Sequence, residues 1–149
     1  MPRFPVHASA LCWLLGVMSS QNAGAADAGA DSKRVVAELS CPPAVAPGRV
    51  LCQLAIRARA PRLVWADALI TRAPEFAKPL RARVGFSQNT RQDERTVVLP
   101  IALVAVASGS GELQVTARAV ICPADPALAC APLSQTVRAP VTVTAREAS

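Results

Sequence analysis

Apolar and polar residues alternate along most of this chain with a period of two, the spacing of a half-buried β-strand. No stretch of useful length carries the 3.6-residue period of a helix. The clearest alternation runs from Arg49 to Arg59, where Val50, Cys52, Leu54 and Ile56 point one way and Gln53, Ala55, Arg57 and Arg59 the other. Glu112 to Cys122 repeats it, with Leu113, Val115, Ala117, Ala119 and Ile121 opposed to Glu112, Gln114, Thr116 and Arg118. Ser134 to Ala145 does so again, with Val137, Ala139, Val141 and Val143 facing inward. Arg34 to Ser40, Arg62 to about Ile70, Leu80 to Ser87 and Arg95 to Ala107 complete seven predicted strands. Proline, glycine and polar clusters separate them at Pro42-Pro43, Pro47-Gly48, Pro61, Pro74 to Pro79, Gln88 to Glu94, Ser108 to Gly111 and Pro123 to Pro132. Arg95 to Ala107 is the most apolar of the set. Pro100 inside it predicts a bulge or an edge, because proline donates nothing to a ladder. In the strand from Arg62, Leu63, Trp65 and Leu69 are expected toward the core, with Trp65 as its centrepiece, worth roughly 2–3 kcal/mol by area. Seven strands at this spacing favour an all-β, two-sheet antiparallel sandwich.

The amino terminus departs from this pattern. Arg3 gives a short basic start, Ala8 to Met18 is a continuous apolar run, and a small polar stretch ends in Ala23-Gly24-Ala25. That is the layout of a secretory signal with a small-x-small cleavage site, and cleavage is expected after Ala25. Eleven apolar residues fall well short of the ~20 that span a bilayer. Cys12 follows Leu11 rather than a small residue, which argues against lipidation, and it leaves with the signal. Residues 26–32 read as a disordered tail. Residues 33–146 then form the sandwich domain, with no room for a second core.

Composition narrows the chemistry. The only histidine is His7, the only methionines are Met1 and Met18, and tyrosine is absent, so a chain cut after Ala25 has none of the three. Ser-His-Asp and Cys-His catalysis, His-bearing zinc sites and thioether copper sites each lose a required group. Trp65, Phe76 and Phe86 are the only aromatics beyond the leader, too few for a platform that stacks bases or sugars. Asp67 with Glu75, or Asp93 with Glu94, are the only carboxylate pairs to weigh for acid–base work, and such groups at turns are usually solvated caps. No catalytic, cofactor-binding or metal residue is expected. The formal net charge is +6, carried largely by arginine. Arg57, Arg59 and Arg62 form one cluster and Arg81 with Arg83 another, at spacings that place neighbours on one strand face. Such clusters suit an anionic partner, but a solvated β face in an Arg-rich, Ala-rich chain is the preferred reading. Export disfavours nucleic acid.

Val45-Ala-Pro-Gly48 leading into the strand from Arg49, together with the strand pair that closes the chain, resembles a bacterial immunoglobulin-like domain over most of the length beyond the leader. The resemblance implies an immunoglobulin-like sandwich, and implies fold rather than activity. The last third is also similar to the amino-terminal domain of DsbD-type disulfide reductases. Gly111-Glu-Leu-Gln-Val-Thr116, Cys122, a loop of seven, Cys130 and Pro132 carry that likeness. It implies a cysteine pair that shuttles electrons.

Four cysteines follow the leader: Cys41, Cys52, Cys122 and Cys130. An even number in an exported chain favours two disulfides. Ten and seven intervening residues do not match the two-to-four spacing of zinc knuckles. Of three pairings, an immunoglobulin-type bridge would join Cys52 to Cys122, with Trp65 thirteen residues after the first. Those cysteines sit at different depths in their strands, an offset of roughly 20 Å against the ~7 Å that a disulfide tolerates between Cα atoms. The local pairing Cys41–Cys52 and Cys122–Cys130 is therefore expected. Each bridge closes a loop of about ten residues, worth about 2.5–3 kcal/mol of loop-closure entropy.

The function expected from these readings is a non-enzymatic, periplasmic or secreted module of the cell envelope. Its partner is another envelope protein or an anionic surface component. The alternative is a thiol–disulfide exchange module that uses Cys122 and Cys130.

Overall fold

The computed structural model describes residues 34–59 and 62–147. The predicted leader and tail lie outside the described residues. The described chain is an all-β sandwich of ten strands in two five-stranded sheets. The first sheet contains β1 (Val35–Ser40), β3 (Gly48–Ala58), β8 (Thr96–Ala105) and β5 (Ala77–Pro79), in that order, with β7 (Arg91–Gln92) also paired to β8. The second runs β2 (Ala44–Ala46), β10 (Ala131–Ala145), β9 (Gly109–Cys122), β4 (Arg62–Arg72) and β6 (Arg83–Gly85). All pairings are antiparallel except β2 with β10, which is parallel.

Ten strands replace the expected seven because three additional ones are only two or three residues long. β2, β5 and β7 occupy stretches that read as connections, and such short pairings leave no alternation to detect. The predicted strand Leu80 to Ser87 shrinks to β6, followed by a 3-10 turn at Phe86–Gln88. β9 starts at Gly109, inside the expected turn. There Gly109 lies against Phe76, so close that a Cβ would stand 2.7 Å from the ring.

β3, β9 and β10 keep the predicted alternation. In the first sheet the inward partners are large: Val50 faces Leu103, Cys52 faces Ile101, Leu54 faces Leu99 and Ile56 faces Val97. The second sheet opposes them with an alanine floor, Ala66 beside Ala119 and Ala68 beside Ala117, flanked by Leu113, Val115, Ile121 and Val141. Large side chains meeting small ones let the sheets interdigitate at interior density. The core is thus aliphatic.

Pro100 resolves as a local edge. On antiparallel strands the N–H and C=O of one residue point to the same side, alternating from residue to residue. Leu80 N–H donates to Ala102 O and Thr90 N–H to Val98 O, both at 2.9 Å, so the even-numbered residues of β8 direct their backbone toward β5 and β7. Pro100 falls in the gap between those two strands, where no ladder asks for its missing donor.

Trp65 is not in the core. β4 carries an irregularity between Leu63 and Trp65, where one extra residue, Val64, interrupts the register with β9. Beyond it Ala66 and Ala68 face inward, while Trp65, Asp67 and Leu69 face outward opposite Val120, Arg118 and Thr116. A bulge that re-aims side chains is the physical cause. Unbroken alternation from Leu63 would have sent Asp67 into an aliphatic interior with no partner.

Candidate functional site

Chemistry-bearing side chains concentrate on the outer face of the second sheet. Asp67 is fully buried although it points away from the core. Arg118, directly opposite on β9, donates from Nε to Asp67 Oδ1 at 2.7 Å and from Nη2 to Oδ2. Arg83 on β6 donates from Nε to Oδ2 at 2.5 Å. One carboxylate thus holds two guanidinium groups, one of them in the bidentate geometry that gives the strongest charge-assisted bonds. Hydrogen bonding to Asp67, and then its charge, raises the Arg118 pKa. The Arg118 Cζ stands 6.0 Å from the Trp65 ring centroid, a cation–π contact at the limit of its range. The network joins β4, β6 and β9 and anchors the short edge strand β6. No local sequence signal marks it, because Arg118 lies 51 residues from Asp67.

The disulfides join Cys41 to Cys52 and Cys122 to Cys130. Each extends an antiparallel register by one pair: Ser40 faces Gln53 in β1–β3, and Ala131 faces Ile121 in β10–β9. Directly opposed residues bring each pair of Cα atoms to 4.2 Å. Their surroundings differ. Cys52 is buried and Cys41 packs against the core, whereas Cys122 is half-buried and Cys130 exposed at the mouth of the β9–β10 hairpin. Arg62 lies opposite Cys122 on β4. Dithiothreitol under native conditions is expected to open Cys122–Cys130 and leave Cys41–Cys52 closed until denaturant is added, because exchange requires access to a sulfur. Differential alkylation with mass spectrometry reads the order, and simultaneous opening would contradict it.

The predicted carboxylate pairs are not assembled. Asp67 is consumed by its arginines, while Glu75 lies beyond the end of β4, lining a shallow depression with Arg72 and Glu112. Asp93 caps the β7–β8 turn, accepting N–H bonds from Arg95 at 2.8 Å and Thr96 at 2.7 Å. The Arg95 bond, followed by the Thr96 bonds and the nearby Arg91 charge, holds its pKa below 3.8 against a smaller opposing effect of burial. A carboxyl whose folded pKa lies below its unfolded value stabilises the fold above the unfolded pKa and ceases to do so as pH falls through the folded one. The stability difference between the native protein and Asp93→Asn is therefore expected to stay constant near neutrality and to be lost as pH falls through the lowered folded pKa. Urea midpoints at several pH values test this.

The arginine clusters divide as well. Arg57 pairs with Glu38 on the outer face of the first sheet at 2.9 Å, whereas Arg62 opens β4 in the other sheet. Of the second cluster, Arg83 serves Asp67 and Arg81 lines a groove of about 190 Å³ with Leu80, Val84 and Pro100. Spacing along the chain could not show this, because the β3–β4 connection changes sheets and Arg81 precedes β6. Among the described residues no group of three or more His, Cys, Asp and Glu is placed to hold a metal ion. No helix is long and apolar enough to cross a membrane among those residues. No protein-family model matches the chain, and no curated protein matches it at a significant level.

Proposed function

We propose that this chain is an exported, non-enzymatic, immunoglobulin-like module that binds another component of the cell envelope. The observation that carries the reading is the pair of local disulfides in a small aliphatic sandwich, since such bridges form and persist in oxidising compartments. The leader-like residues 1–25 agree with it. Strand order supports the immunoglobulin-like part. β1-β3-β8 followed by β5 and β7 corresponds to the A-B-E-D sheet of that architecture, and β10-β9-β4 to its G-F-C sheet. The titratable groups serve structure, Asp67 as an ion-pair hub and Asp93 as a turn cap, which favours binding over turnover.

The test is isolation of the native product from the envelope fraction or the medium. A chain beginning at Ala26, without free thiols and without turnover of envelope substrates, is expected. An intact Met1 with four reduced cysteines overturns export, and enzyme-like turnover overturns the binding role.

The exposure of Cys130 favours a second reading, thiol–disulfide exchange through Cys122 and Cys130. A reduction potential near −200 mV supports exchange, whereas a value below about −300 mV identifies an inert brace.

A further inference from the structure

The outer face of the first sheet carries an apolar row interrupted by two polar residues, with an unpaired cationic end. Cross-strand register places Leu51 beside Ala102 and Ala55 beside Val98, with Pro100 between them on β8 opposite the exposed Gln53, and Glu38 beside Ala55 on β1. Leu80 joins the row, bonded through its N–H to Ala102. Leu51 and Leu80 are 59% and 52% exposed, among the most exposed large apolar side chains described. At one end Arg49 and Lys78 flank Val104, and at the other Arg91 lies beside Val98 and Arg57 beside Thr96. Arg57 already engages Glu38, and Asp93 in the β7–β8 turn lies near Arg91, so the charges at that end are partly offset. Among the described residues Arg49, Lys78 and Arg91 have no carboxylate within ion-pair distance.

We propose that this face docks a protein whose surface carries an apolar strip with a carboxylate-bearing end that meets Arg49 and Lys78. The proposal rests on the binding-module reading and names its surface. Charge complementarity selects the occupant. A second copy seated face to face with like strand ends together brings Arg49 and Lys78 against their like, and juxtaposed like charges oppose association. Strand spacing and rise give the face on the order of 400 Å², about half of what one partner buries in a standard interface. The cationic end must therefore contribute. A lipid surface fits poorly, because only Leu51 and Leu80 protrude among the described apolar residues of this face, the rest being half-buried alanine, valine and proline flush with the sheet, whereas interfacial binding uses rows of protruding Trp, Phe and Leu.

The test places the photocrosslinker p-benzoylphenylalanine at Leu51 of the full chain in its native cells, with Thr136 on the outer face of the second sheet as the comparison site. A discrete protein adduct is expected from position 51, reduced at least about fivefold by Arg49→Glu with Lys78→Glu, since rim charges govern encounter. Arg72→Glu with Arg138→Glu on the second sheet changes the net charge equally and is expected to leave the adduct intact. An adduct with lipid or with a second copy, or one lowered equally by both charge reversals or by neither, overturns the proposal. Adducts from Thr136 alone overturn this face and leave the binding role standing. No adduct from either position overturns both.

Discussion

Arg118→Ala is expected to lower folding stability by about 3–5 kcal/mol, more than Asp67→Ala, in urea unfolding at neutral pH. The order follows from who is buried. Asp67 is wholly removed from solvent, while the Arg118 and Arg83 side chains remain 39% and 57% exposed. Losing Arg118 deletes two of the three hydrogen bonds to a carboxylate that water cannot reach, and an under-compensated buried charge carries the full desolvation cost. Losing Asp67 instead releases two guanidinium groups that water already reaches, so about 1–2 kcal/mol is expected. The double variant should resemble Asp67→Ala, giving a coupling energy as large as the Arg118→Ala loss itself, about 3–5 kcal/mol. Equal losses from the two single variants, or simple additivity, would contradict this account. Such a network holds the edge strand β6 in place rather than performing chemistry.

Leu99→Ala is expected to cost about 3–4 kcal/mol, and Trp65→Ala only about 1–2 kcal/mol, the reverse of their sizes. Leu99 is fully buried against Leu54 at the centre of the first sheet, in an interior whose opposite wall is alanine and has little side chain to collapse into a cavity. Trp65 lies half-buried on the outer face, beside Val120 and near Arg118. It is the only tryptophan beyond the leader, so acrylamide quenching of the fluorescence of a chain cut after Ala25 reports its exposure directly. Efficient quenching is expected in the folded state. A protected emission together with a large Trp65→Ala loss would place the ring inside.

The same tryptophan marks where sequence reasoning stopped. β3, β9 and β10 were legible because each keeps one unbroken period of two, and a half-buried strand has no other way to satisfy both faces. In β4 an extra residue at Val64 inverts the side chains from Trp65 to Ile70, until a second irregularity before Arg72 restores the phase, and period counting cannot see an insertion that only the neighbouring strand reveals. Asp67 held the clue. A carboxylate in phase with Leu63 and Leu69 is a contradiction for an aliphatic core, and the bulge resolves it. The arginines that meet it could not be read, because their closeness is a property of pairing between β4, β6 and β9.

The all-β class, the inward sets of β3, β9 and β10 and the local choice of cysteine partners thus follow from the sequence alone, because alternation, turn chemistry and reach act over a few residues. Tertiary structure decided which face received Trp65 and Asp67, which disulfide is exposed, and how scattered apolar and cationic residues became one surface. Those outcomes depend on strand register and sheet membership, which are fixed only when distant segments meet.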